Sequence, residues 1–149
     1  MTKSRFAPHG FDEETIENIC KNIGKDNTFR FVAITLCTRR IIGYFIAENE
    51  VSENDRSRFL KNEIDLKSEE CCSIAPSISD DYQGSGVGMA LFKFMMDYLK
   101  EQQKHHLILL GGVQKENEKA IRFYQKMGFQ EAGEFDRNGV LNLNMWMMI

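Results

Sequence analysis

An α/β domain on a mixed sheet is what this 149-residue sequence predicts, and three observations predict it. A β-rich apolar run at residues 71–79 leads through three alternating glycines, Gly84, Gly86 and Gly88, into an amphipathic helix at residues 89–99. A second apolar run follows at residues 107–110. It is too short for a helix and fits a buried parallel strand. Two further pairs of β-rich runs, residues 29–36 with 41–47 and residues 130–136 with 141–148, are joined by turn residues and read as hairpins. A strand-helix-strand unit supplies parallel pairing and the hairpins supply antiparallel pairing.

Each element has its local reason. Residues 11–24 predict a helix, with Ile16, Ile19, Cys20 and Ile23 as its apolar stripe, Asp12 as cap and Gly24 as stop. Thr38-Arg39-Arg40 turns the first hairpin. Residues 48–70 are charged and sparsely apolar (Val51, Phe59, Leu60, Ile64, Leu66), and predict a mobile loop with one helical turn, of the kind that borders a site. Pro76 removes a ladder donor from the next strand, which marks a bulge or an unpaired edge. In the helix after the glycines, Val87, Leu91, Phe94, Met95 and Tyr98 form the expected buried face, and His105-His106 close it where positive charge suits the dipole. Asn117 is a good N-cap and Gly128 a good C′ residue for a helix whose apolar face is Ala120, Phe123, Tyr124 and Met127, spaced i, i+3, i+4, i+7. Asn138-Gly139 is a strong hairpin signal. Met145-Trp146-Met147-Met148 reads as a buried last strand with adaptable packing.

Composition bounds the function. The length fits one domain, residues 1–149. Hydrophobic residues at 42% and charged residues at 28% describe an ordinary globule. A net charge of −3 gives nucleic acid no electrostatic footprint. No run approaches the ~18 apolar residues of a membrane span, and residues 1–6 lack the apolar core of a signal peptide. Cys20, Cys37, Cys71 and Cys72 have no zinc-like spacing, so no metal is expected. Reduced thiols and a cytoplasmic location are the expectation.

The glycine segment, Gln83-Gly84-Ser85-Gly86-Val87-Gly88, carries the chemistry. Glycines let backbone N–H groups approach a ligand closely. The first N–H groups of a helix have no internal partner, and the dipole makes that end positive. Such a junction suits phosphate or diphosphate. A P-loop requires a lysine after its last glycine, and here Met89 and Ala90 follow Gly88. A dinucleotide turn requires G-x-G-x-x-G and an acid about 20 residues on at the end of a second strand, neither of which is present. The remaining pattern is Gln/Arg-x-x-Gly-x-Gly/Ala, which Gln83, Gly86 and Gly88 fill.

That pattern resembles the pyrophosphate loop of the GNAT family, the acyl-CoA-dependent N-acetyltransferases. A second segment resembles the family's later motif, N-x-x-A-x-x-F-Y-x-x-x-G-F: Asn117, Ala120, Phe123, Tyr124, Gly128 and Phe129, beginning 34 residues after Gln83. Together the two cover roughly residue 29 to the C-terminus. The resemblance implies a GNAT-like acyl-CoA-binding fold lacking its first strand and first helix, since only residues 1–10 precede the first helix. It implies a bulged strand at Pro76, splayed from the next strand, with coenzyme A in the gap. It implies acetyl-CoA as cosubstrate and an amine of a small molecule or protein as acceptor. The backbone N–H of Ile78 would meet the thioester oxygen or nearby pantetheine. The N–H groups of Gln83, Gly84, Ser85, Gly86, Val87 and Gly88 would hold the diphosphate, and Asn117 would contact the pantetheine arm. Tyr124 would be the general acid for the leaving thiolate. For the general base, Glu70 or a water chain is available. Asp80-Asp81 read as turn residues that resemble the D-D-x-Q-G form of GNAT domains fused to acyl-CoA synthetases and of some protein-lysine acetyltransferases.

Three classes of function stay open: direct acetyl transfer, a non-catalytic acyl-CoA-binding module, and a structural subunit. Cys71 and Cys72, on the proposed strand, leave a ping-pong route open. A missing edge strand would leave its neighbour unpaired and invite a homodimer.

Overall fold

The computed structural model describes residues 12–149. The expectations that fall on residues 1–11, the start of the first helix and the absence of a preceding strand and helix, lie outside the described residues. Helix α1 (Glu13–Asn22) is capped by Asp12, whose carboxylate accepts the Thr15 N–H at 2.8 Å. It leads to the antiparallel pair β1 (Thr28–Ile34) and β2 (Ile41–Glu48). Helix α2 (Glu53–Leu60), β3 (Cys71–Ile78), α3 (Val87–Glu101), β4 (His106–Leu109), the two-residue β5 (Val113–Gln114), α4 (Glu118–Lys126), β6 (Gln130–Arg137) and β7 (Val140–Met148) follow. The strand order is β1-β2-β3-β4-β7-β5, and β6 pairs β7. Among the described residues, β3 and β4 are the only parallel pair, joined by α3. The mixed α/β fold is therefore the one expected.

The main core lies between the sheet and α3 and α4. Leu91, Phe92, Met95 and Leu99 of α3 pack on Phe45, Ala47, Cys72, Ile74, Leu107 and Met145. Two expectations for this face change. Phe94 is 64% exposed, and Phe92 takes its place in the core. The reason is position: Phe94 leans out over the edge strand, its ring 6.1 Å from that of Phe31. His106 opens β4 instead of closing a helix, and stacks on Trp146 at 6.0 Å.

The stretch expected to be a mobile loop is mostly packed structure. Ser52 caps α2, accepting the Asp55 N–H at 3.1 Å. Val51, Phe59 and Leu66 join Cys71, Ile108 and Ala132 in a second core on the opposite face of the sheet. These three are few, but each is buried, and burying a Phe or Leu side chain is worth about 1.5–3 kcal/mol; Leu60 stays exposed.

The last hairpin turns through Asn138 and Gly139 with φ of 56° and 79°, the double positive φ that Asn-Gly favours.

Candidate active site

Pro76 shows how the sheet opens. The register of β2 with β3 runs without a shift from Gly43↔Ile78 to Glu48↔Ser73. The expected bulge is absent. Ser79 N–H donates to the Ile42 carbonyl and Leu110 N–H donates to the Ile74 carbonyl, both at 2.9 Å. Successive residues of a strand alternate their hydrogen-bonding sides. Odd residues of β3 thus face β2, and even ones face β4. The donor that Pro76 lacks belongs to the β4 side, where pairing has already stopped at Ile74↔Leu109. Beyond that point the chain after β4 turns away through Gly111 and Gly112, each with φ +69°. The two parallel strands diverge, and the Pro76–Ile78 end of β3 lies along an edge that β4 does not pair.

This edge runs into the glycine loop. A 3-10 turn at Asp80–Tyr82 precedes Gln83. Gly84 and Gly86 have φ of +80° and +91°, and a Cβ at either would meet open space. They are glycines for conformation. Gly88 is a glycine for room: its Cβ would lie 3.2 Å from Phe123 Cε2. Gly86 caps α3 without a side-chain bond, and the first turn holds no acid. The turn uses two of the expected donors, since Gln83 N–H donates to the Asp80 carbonyl (3.3 Å) and Ser85 N–H to the Tyr82 carbonyl (3.4 Å). Among the described residues, the N–H groups of Gly84, Gly86, Val87 and Gly88 make no hydrogen bond. Four unspoken-for donors at a positive helix end fit a diphosphate.

Helix α4 closes the other side of the gap. Asn117 caps it, its side-chain oxygen accepting the Ala120 N–H at 3.3 Å, and Gly128 follows its end with φ +100°. Phe123 abuts Gly88. Lys119 reaches back to the loop, donating from Nζ to Gln83 Oε1 at 2.7 Å. Gln83 in turn donates to Asp80 Oδ1 (2.8 Å) and the Ile78 carbonyl (3.3 Å). Tyr124 sits edge-to-face with Phe123 (5.5 Å) and Phe129 (5.7 Å). Burial pushes its phenol above the usual range, so the proton stays on at neutral pH.

The structure thus brings Ile78, the glycine loop, Asn117 and Tyr124 to one end of the sheet. Glu70 is not among them. It precedes β3 at the opposite end, eight residues and about 26 Å from Ile78 at ~3.3 Å per residue, and its carbonyl accepts the His105 N–H at 2.8 Å. Cys71 and Cys72 are fully buried. Burial pushes both thiols up to about 11, so neither is a ready nucleophile at neutral pH.

One carboxylate escaped the sequence reading. Glu48 ends β2 opposite Ser73, on the face away from α3, since its neighbour Ala47 belongs to the core beneath that helix. Burial first, and the charge of Asp55 second, push its carboxyl above the ordinary value. Asp55 is 3% exposed and pairs with Arg58. Arg58 also donates to Asn144 Oδ1 at 3.1 Å and lies 4.0 Å over the Phe135 ring. No local pattern could have revealed Glu48, because strand pairing alone decides which residues flank it. Among the described residues no group of three or more His, Cys, Asp or Glu is arranged to hold a metal, and no helix is long and apolar enough to cross a membrane.

Comparison with known proteins bears on this geometry. A family model described as the acetyltransferase (GNAT) family matches residues 3–129. The spermine/spermidine N(1)-acetyltransferase of Bacillus subtilis (strain 168) is 42% identical over 62 residues, which are 42% of this chain and 40% of that protein. The spermidine N(1)-acetyltransferase of Escherichia coli (strain K12) is 41% identical over 68 residues, 44% of this chain and 34% of that protein. The matched stretches therefore span less than half of these relatives. A ribosomal-protein-alanine N-acetyltransferase from Brucella melitensis has a similar fold, with a TM-score of 0.72 at 17% identity over 97% of this chain and 83% of that one.

Proposed function

The chain belongs to the acetyltransferase (GNAT) family, and from that premise we propose that it transfers acetyl from acetyl-CoA to a primary amine of a polyamine-class acceptor by direct attack. The observation that carries this is the set of four open N–H donors at the uncapped start of α3, set where β3 leaves β4. When bound, acetyl-CoA supplies the activated acetyl group. The N–H groups of Gly84, Gly86, Val87 and Gly88 bind its diphosphate. The β4-facing edge of β3 at Ile78 orients the thioester, and backbone donors suit that task because they need no reorganisation. Asn117 stands at the mouth of the gap for the pantetheine arm. Tyr124 gives its proton to the leaving thiolate. Its raised pKa matches this role, because the burial that holds the phenol neutral also makes a nearby thiolate more basic.

The relatives named for spermine and spermidine support the acceptor class. Glu48 supports it too, as a half-buried carboxylate suited to an ammonium group. At ~3.3 Å per residue it stands about 16 Å from the Gly43↔Ile78 pair, five residues along β2, so its role is to hold the far end of an extended acceptor. Glu70 remains a proposal only through an intervening water chain. Pairing of two copies along β1 belongs to the same proposal. That strand ends the order of the sheet, and Val32, Ile34 and Leu36 are exposed. A cytoplasmic location accords with the four free cysteines.

The test is thermal unfolding with acetyl-CoA, CoA, ATP and NAD, followed by thiol release with spermine, spermidine, putrescine and lysine peptides. A ligand at a hundredfold excess over its Kd stabilises the folded state by about 2.7 kcal/mol. A shift with the CoA ligands alone, then thiol release with the polyamines, is expected. A CoA shift with no thiol release from any amine would favour the non-catalytic acyl-CoA-binding module, which the distance of Glu70 from the gap also favours. No CoA shift in a folded sample would refute both.

A further inference from the structure

We propose that Lys119 is the diphosphate-binding cation of this site, exchanging Gln83 Oε1 for a phosphate oxygen when acetyl-CoA binds; the proposal rests on the acyl-CoA reading above. The glycine loop has no cation of its own. Residues 79–90 contain no Lys, Arg or His, and carry Asp80 and Asp81. A diphosphate brought there meets N–H dipoles but two like charges nearby, so any side-chain cation comes from another element. Lys119 is the one that α4 delivers, with its ammonium 2.7 Å from Gln83 Oε1 across 36 residues of sequence.

Its place in α4 is telling. Asn117 is the cap, so Lys119 is the second helical residue. A lysine in the first turn opposes the helix dipole, typically by about 0.3–1 kcal/mol. A bound anion reverses that sign. The partner it has in this structure is a neutral amide oxygen, which a phosphate oxygen outcompetes for an ammonium, since it adds the attraction of a full opposite charge to the hydrogen bond. Gln83 loses little in the exchange, because its Nε2 remains bound to Asp80 Oδ1 and the Ile78 carbonyl. The loop thus keeps its shape while Lys119 changes partner. The N–H groups of Gly84, Gly86, Val87 and Gly88 would hold one side of the diphosphate and Lys119 the other.

The experiment compares wild type, Lys119→Met and Lys119→Arg in calorimetric titrations with CoA and 3′-dephospho-CoA, and in turnover of acetyl-pantetheine, which lacks phosphate. Wild type must bind CoA; if it does not, the acyl-CoA reading fails and this proposal with it. Given binding, Lys119→Met is expected to weaken CoA and 3′-dephospho-CoA alike by about tenfold, equivalent to ~1.4 kcal/mol. Turnover of acetyl-pantetheine stays within twofold, Lys119→Arg retains most of the affinity, and the salt dependence of CoA binding flattens in the Met variant. An equal loss with acetyl-pantetheine would make Lys119 a mere tether of the loop. A loss confined to CoA would assign it to the 3′-phosphate. Unchanged affinity for CoA would remove any role. Each of these three results overturns the proposal while leaving the acyl-CoA reading in place.

Discussion

Gly88→Ala separates room from conformation in the glycine loop. Gly88 has no positive φ, so alanine strains no backbone there, and the effect is steric. The new Cβ would lie 3.2 Å from Phe123 Cε2, 3.3 Å from Phe123 Cζ and 3.4 Å from Ile78 Cγ1. Two of these three atoms belong to one ring on α4. That ring must retreat by a few tenths of an ångström, and it carries α4, with Lys119 and Tyr124, away from the loop. Overpacking of this kind costs about 1–3 kcal/mol. At roughly 2–4 °C per kcal/mol for a chain of this size, Tm should fall by about 2–12 °C, and CoA affinity should fall with it. The assay is urea and thermal unfolding of Gly88→Ala, Phe123→Leu and the double variant. Leucine at 123 removes the two crowded ring atoms. The double variant should therefore be at least ~1 kcal/mol more stable than the sum of the single losses, well outside the ~0.5 kcal/mol scatter of independent sites. Additive losses, or a Gly88→Ala protein as stable as wild type, would refute the steric account. Gly86→Ala is the contrast: its surroundings are open but φ is +91°. The left-handed backbone costs an L-residue about 1–2 kcal/mol, and Phe123→Leu should not recover it.

Three further outcomes are expected. Tyr124→Phe should lower kcat by about 100-fold, within the usual range for a general acid, with KM for acetyl-CoA nearly unchanged. Because burial raises the pKa of Tyr124, the acid is lost only as pH rises above the ordinary phenol value of ~10, so the wild-type alkaline limb should lie above pH 10 and vanish in the variant; equal kcat in a folded variant would dismiss the role. Glu48→Gln should raise KM for spermidine yet stabilise the protein at pH 7. A carboxyl with a raised folded pKa binds more protons folded than unfolded, so its contribution falls as pH climbs from the unfolded value through the folded one, and glutamine removes that loss; pH-resolved unfolding in which the two proteins respond alike would contradict it. Ellman's reagent should label two thiols in the native protein, Cys20 and Cys37, which are exposed, and reach the buried Cys71 and Cys72 only on unfolding; rapid labelling of a third would argue against their burial.

Whatever is encoded within a few residues was legible in the sequence. The caps Asp12 and Asn117, the stops Gly24 and Gly128 and the Asn138-Gly139 hairpin all reappear in the structure. The reason is that capping bonds and backbone conformations are settled between near neighbours. The two motifs around Gln83 and Asn117 were legible on the same ground, each being one local turn and one helix.

Tertiary structure decided whatever depends on which elements meet. Phe94 has the same helical spacing as its buried neighbours, but the sheet edge ends beneath it, so it remains exposed. Residues 53–60 have too few apolar positions to show a helical stripe, yet the second core needs only Phe59 with Val51 and Leu66 to hold them. Pro76 signalled an irregular strand, but only the pairing of β3 with β2 on one side and its parting from β4 on the other show that its missing donor faces the gap and requires no bulge. Glu70 was near in sequence to the strand that carries the site and far from the site in space, whereas Lys119 reaches the glycine loop from another element. Strand order and helix packing are long-range choices, made by burial of the whole sheet, and no window of local sequence contains them.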